Sequence, residues 1–149
     1  MSLFSLSVMM AATSFALVLL GGGLYEFPVV DPFWPKRPDL IQPHRGGISR
    51  RRFWIPAHAL FELVLIFSLV RAWSVPAVRF WLLIALASHG AMRVWSAFDF
   101  IPKALAFERA ETISEAAATA WSRRSKLRFP LDVITCLSLL IALSTALRG

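Results

Sequence analysis

Four ionisable residues stand deep inside the second and third apolar stretches of this sequence, in two pairs of equal spacing: His58 with Glu62, and His89 with Arg93. Residues four apart share a helical face, so each pair presents both members to the same neighbour. On insertion scales an ionisable side chain at mid-helix costs about 2.5–3.5 kcal/mol, and each of the four must be compensated. Counted inward from Phe53 at a rise of about 1.5 Å per residue, His58 lies about 7 Å deep and Glu62 about 13 Å. Counted back from Phe98, Arg93 and His89 lie at the same two depths, about 7 and 13 Å. The two stretches run in opposite directions, so Glu62 is level with His89, and His58 with Arg93.

This layer has the groups that acid–base catalysis needs. In a dry pocket Glu62 or His89 would act as general base and Arg93 would stabilise a developing oxyanion, which makes His58, Glu62, His89 and Arg93 the catalytic candidates. Tyr25, Trp54, Phe61 and Trp95 are candidate walls for a flat apolar substrate. Glu26, at the end of the first apolar stretch, and Asp132, one turn into the last, extend the polar layer to all four stretches.

Such chemistry requires no cofactor. The alternative is a single metal ion at His58, Glu62 and His89, a two-histidine, one-carboxylate set. Against it, HxxxE and HxxxR are not the ExxH spacing of di-iron bundles, and Arg93 opposes a divalent cation. A third reading is purely architectural, with Glu62–Arg93 and His58–His89 as interhelical pairs that hold the helices together. A proton path through the membrane is disfavoured, because beyond the terminal arginines the far half of each stretch has no ionisable residue.

The elements that must position these residues follow from composition. The chain has 149 residues, 57% hydrophobic and 17% charged, with mean hydropathy +0.62. Soluble domains average about 45–50% apolar and 25% charged, so both values point to a membrane protein. An all-α integral membrane four-helix bundle is predicted as one domain over 1–149, with helices over 2–24, 53–70, 78–98 and 129–147. The first stretch lacks the basic residues of a signal-peptide n-region, which predicts a retained helix. Trp54, Trp73, Trp81, Trp95 and Trp121 bracket the stretches, as rings at the headgroup level would.

The net charge of +7 reads as orientation rather than nucleic-acid binding. Loop 25–52 carries six Lys or Arg, from Lys36 to Arg52, and loop 99–128 another six, against Arg71, Arg79 and Arg148 on the opposite side. The expectation is an inner-membrane, multi-pass protein with both loops cytoplasmic and both termini outward, in the periplasm. Five prolines between Pro28 and Pro43 favour an extended, polyproline-like path, and Phe27, Phe33, Trp34, Leu40 and Ile41 make that loop a cap over the bundle. Ala106, Ala110, Ile113, Ala117 and Trp121 recur at helical spacing opposite Glu108, Glu111 and Glu115, predicting an amphipathic interfacial helix over 103–122. Its tail of Arg123, Arg124, Lys126 and Arg128 would meet anionic headgroups.

The remaining features narrow the function by exclusion. A single cysteine, Cys136, rules out an intrachain disulfide framework, and His44 reads as a solvated loop residue. No G-x-S-x-G, HExxH or dinucleotide fingerprint is present, which argues against a conventional hydrolase or nicotinamide enzyme.

Gly23-Leu-Tyr-Glu-Phe-Pro-Val-Val-Asp-Pro-Phe-Trp-Pro35 and Trp121-Ser-Arg-Arg-Ser-Lys-Leu-Arg128, together with the four-helix layout, resemble the anthrone-oxygenase-like small membrane proteins. Some members act on polycyclic phenols without metal or flavin, the substrate carbanion itself reducing oxygen. The resemblance implies a lipophilic aromatic or quinone-like partner for this chain, with His58, Glu62, His89 and Arg93 serving deprotonation and oxyanion stabilisation. The rival expectation is a non-catalytic accessory subunit packed against a larger membrane complex, or a homo-oligomer. Both expectations have the lipid bilayer as surroundings and no nucleic acid.

Overall fold

The computed structural model describes residues 2–148, and among these there is no strand. Six α-helices follow in order: α1 (Leu3–Val29), α2 (Arg51–Arg71), α3 (Pro76–Trp95), α4 (Ile101–Arg109), α5 (Glu115–Ser125) and α6 (Phe129–Arg148). Helices α1, α2, α3 and α6 are long and apolar enough to cross a membrane and form a four-helix bundle, that of a multi-pass membrane protein.

Local sequence explains the boundaries. The Ser2 side chain caps α1 by accepting from the Ser5 N–H, and Pro76 opens α3 where its missing N–H costs nothing. The first helix runs to Val29, five residues beyond the expected end at residue 24, and carries Tyr25 and Glu26 with it. At about 1.5 Å per residue its 27 residues exceed a hydrocarbon core of about 30 Å, so its last turn emerges from that core.

The bundle is held by small residues that let helices approach closely. Ala12 and Ala16 of α1, Ala85 of α3, and Ala142 and Ala146 of α6 lie buried among Met9, Phe61, Leu65, Leu82 and Leu139. An added Cβ at Gly22 would stand 2.8 Å from a Phe53 ring atom and 3.1 Å from the Trp54 ring, so glycine lets these two rings of α2 lie directly against α1. Helix α1 packs on α2 and α6, and α6 packs on α3, while α2 and α3 form the sparsest of these four adjacent seams. The bundle therefore has three tight seams and one loose one.

Both long connections lie at the same end, and they pack on each other. Trp34 and Ile41 of the first connection and Ala118 of α5 are fully buried together, with Phe107, Ile113 and Trp121 against them. Gln42 donates from Nε2 to the carbonyls of Phe107 (2.9 Å) and Ala110 (2.7 Å), and Arg45 donates to the Glu111 carbonyl at 3.0 Å. The cap is not the extended path its prolines suggest. Pro38 and Pro43 each start a 3-10 turn, and Gly46, at φ +85°, ends the second.

The expected single helix over 103–122 is also corrected. A π-helical turn, Ser96–Phe100, joins α3 to α4, and Ala110–Ser114 breaks the chain before the Ser114 side chain caps α5. The break changes the register of the faces. Glu108, expected on the solvated side, is buried 3.0 Å from Arg51.

Candidate functional site

Along α2, Arg50, Trp54, His58 and Glu62 follow at intervals of four, with Arg50 as the residue just before the helix, so they form one stripe. The stripe meets Glu26 of α1 at its outer end and His89 and Arg93 of α3 at its inner end. Glu26 Oε1 accepts from Trp54 Nε1 at 2.9 Å, and Arg50 lies 4.0 Å from the other Glu26 oxygen. The His58 ring stacks on Trp54 at a centroid distance of 5.6 Å and lies 5.5 Å from the His89 ring.

Deeper in, one oxygen takes two partners. Glu62 Oε1 accepts from Arg93 Nε at 2.7 Å and lies 3.3 Å from His89 Nε2. His89 is buried, with the edge of Phe61 4.7 Å away between centroids, whereas the Glu62 and Arg93 side chains are each 36% exposed. Glu62 and Arg93 thus bridge the loose α2–α3 seam and remain accessible there. His58 Nδ1 is buried with no hydrogen-bond partner among the described residues. The result is a ladder from Arg50 to Arg93, each carboxylate beside an arginine and two imidazoles between.

The structure brings together His58, Glu62, His89, Arg93, Phe61, Trp54 and Glu26. Three other candidates make no hydrogen bond or ion pair with the ladder among the described residues. Tyr25 is 61% exposed, because the longer α1 turns its side chain to the outside. Trp95 packs on Phe100, 5.5 Å between centroids, and so belongs to the π-turn. Asp132 is half-buried on α6 and, among the described residues, has no ion-pair partner within 4 Å. No three His, Cys, Asp or Glu side chains among the described residues converge as a metal centre requires, and the His58–Glu62–His89 set is no exception. The Glu62 oxygen that would face a cation faces Arg93 instead.

Several groups that shape the site were not singled out in the sequence. Arg50 reads as one of three interchangeable arginines, yet its side chain is only 9% exposed and its guanidinium lies over Trp34 (5.6 Å) and Trp121 (5.4 Å). The signal was present, since Arg50 is one turn ahead of Trp54 and two ahead of His58. Arg128 likewise turns inward, donating to Ser96 Oγ at 2.6 Å and stacking over Phe100 at 4.3 Å. Ser88 ties α3 to α6 by donating to the Leu131 carbonyl at 2.8 Å. In the cap, burial pushes the Asp31 carboxyl above its ordinary range, with Lys126, 3.8 Å away, pulling the other way. No family model, curated protein or solved structure matches the chain.

Proposed function

We propose that this protein binds a lipophilic aromatic or quinone-like molecule at the α2–α3 seam and removes a proton from it. The supporting observation is the shared Glu62 oxygen, held between a buried histidine and an arginine at the sparsest of the four adjacent seams. A phenol or enolisable carbonyl entering from the bilayer would meet a carboxylate–imidazole pair as proton acceptor. Arg93 would then stand beside the resulting anion. An electron-rich anion of this kind can react with dioxygen directly, which connects the reading to cofactor-independent oxygenation. His58, with its unpartnered Nδ1, is the second imidazole within reach of the same layer.

In this proposal the protein lies in an inner membrane with both long connections in the cytoplasm. Twelve basic residues at that end against three at the other support this orientation. The test of the site uses purified protein in nanodiscs and a hydroxynaphthoquinone whose anion absorbs at longer wavelength than its neutral form. The wild type is expected to shift the bound probe to its anion, and Glu62→Gln and His89→Ala to abolish the shift. An equal shift in both variants removes the site from consideration.

One observation favours the accessory-subunit reading: the exposed carboxylate is already neutralised by Arg93, so a partner helix could cover the pair without a ligand. Under that reading a membrane partner co-purifies in stoichiometric amount and the probe is not shifted.

A further inference from the structure

Away from the ladder, the fold builds a separate cavity of about 200 Å³ between the π-turn with α4 on one side and α5 on the other. Phe100, Phe107 and Trp121 wall it, and Ala117 and Ala120 complete the lining with methyl groups where larger side chains would fill the space. At its rim Asp99 is held by Lys103 and by Arg124, whose Nη2 donates to Oδ2 at 2.6 Å. Two cations against one carboxylate leave the rim with one net positive charge. Lys103 has three N–H donors and Arg124 five, Asp99 takes one from each, and both side chains are about half exposed.

The cavity also lies at a definite level. Phe98, in the same π-turn, is 84% exposed, and Leu127, just past α5, is exposed as well. Exposed apolar side chains on the same segments as exposed Lys103 and Arg124 are the pattern expected where hydrocarbon meets headgroups. The basic tail that the sequence assigns to headgroup contact is half consumed within the fold. Arg128 turns to Ser96 and Phe100, while Lys126 approaches Asp31 and lies over Phe27 at 5.3 Å. Of the two that remain exposed, Arg124 lines the cavity and Arg123 does not.

We propose that this cavity is a binding site for one anionic phospholipid. Its phosphodiester sits at the rim on the N–H donors of Lys103 and Arg124 that Asp99 leaves free, and its glycerol and first methylene groups occupy the aromatic-walled space. The site is independent of the ladder in α2 and α3.

Native mass spectrometry of the full chain in mild detergent, with phosphatidylglycerol or phosphatidylcholine added, tests this. The wild type is expected to bind the first phosphatidylglycerol about tenfold more tightly than phosphatidylcholine, as two positioned cations would give. Lys103→Gln with Arg124→Gln, and separately Ala120→Phe, are expected to bring the two lipids to near equality, while Arg123→Gln leaves the preference intact. Ala120→Phe removes no charge, so it tests the cavity even where loss of the rim cations disturbs folding. Equal binding of the two lipids by the wild type overturns the proposal. So does a loss in Arg123→Gln as large as in the rim variant, which would mean diffuse surface charge. Displacement of the lipid by inorganic phosphate at the lipid's own concentration would identify a site for free phosphate, and also overturns it.

Discussion

Arg93 Nε and His89 Nε2 converge on the same oxygen of Glu62, at 2.7 and 3.3 Å, so one carboxylate serves two cationic or polar partners from the facing helix. The accessible parts of Glu62 and Arg93 lie on spans whose surroundings are lipid, so solvent does not screen their pairing as it would a surface ion pair. A double-mutant cycle with Glu62→Gln and Arg93→Met is expected to give a coupling of about 0.6–1.7 kcal/mol. The double variant should also be more stable than the sum of the single losses. Unfolding in mixed micelles with increasing SDS measures both, and zero coupling would show the two side chains to be energetically independent.

The cap is expected to depend on Trp34 more than on its prolines. Trp34 is fully buried, against Phe107 at 5.4 Å and Trp121 at 5.8 Å between ring centroids. Truncating such a side chain costs about 3–5 kcal/mol, here borne by the second core rather than by the bundle. Trp34→Ala should therefore make trypsin cut rapidly at exposed Lys36 and Arg45, while the four spans retain their helical circular dichroism. Unchanged cleavage would mean that the loop is anchored elsewhere.

Two glycines make close approaches of different kinds. A Cβ at Gly22 would meet side-chain ring atoms of Phe53 and Trp54, and the half-exposed Phe53 ring has room to move. At Gly47 the Cβ would stand 2.1 Å from the Asp39 carbonyl oxygen, which belongs to the backbone of the cap. Gly22→Ala is expected to cost under about 1 kcal/mol and Gly47→Ala about 2 kcal/mol or more, by thermal unfolding and cap proteolysis respectively. The reverse order would contradict the packing described at both positions.

Two cap carboxylates give opposite pH dependences. Burial raises Asp31 above its ordinary 3.8, so the folded cap retains a proton that the unfolded chain has lost. Its contribution therefore favours folding at low pH and diminishes as pH rises through the folded value. Asp39, exposed and hydrogen-bonded by Arg37, is lowered from 3.8; its contribution is present above that value and lost as pH falls through the folded one. Amide hydrogen exchange of the cap between pH 2 and 7, a window that extends below the lowered Asp39 value, is expected to show the difference. Asp31→Asn should remove a loss of protection as pH rises, and Asp39→Asn a loss as pH falls. Identical profiles for the wild type and Asp31→Asn would show that Asp31 is not desolvated.

Much of the bundle is legible in the sequence for simple reasons. Twenty apolar residues in a row leave the backbone no polar partner but itself, so each long stretch becomes a helix whatever its neighbours. The four-residue spacing of His58 with Glu62 and of His89 with Arg93, on helices of opposite direction, brings the four to a common level, and the contacts in the structure join them. Boundaries were less legible. The end of α1 depended on whether Pro28 would be accepted in its last turn, and the start of α5 on Ser114 serving as its cap.

By itself, then, the sequence determined the number of helices long and apolar enough to span, their alternating direction, the common level of the paired polar residues and the end at which basic residues collect. These are properties of single segments, set by hydropathy and helical rise. Which seam would be loose, which of Arg50, Arg51 and Arg52 would be buried, and where Lys103, Arg124 and Trp121 would enclose a cavity were decided only by tertiary structure. Each depends on the rotation of one helix relative to another, and that rotation is fixed by contacts between residues far apart in the chain, such as Gly22 with Phe53 and Gln42 with Phe107.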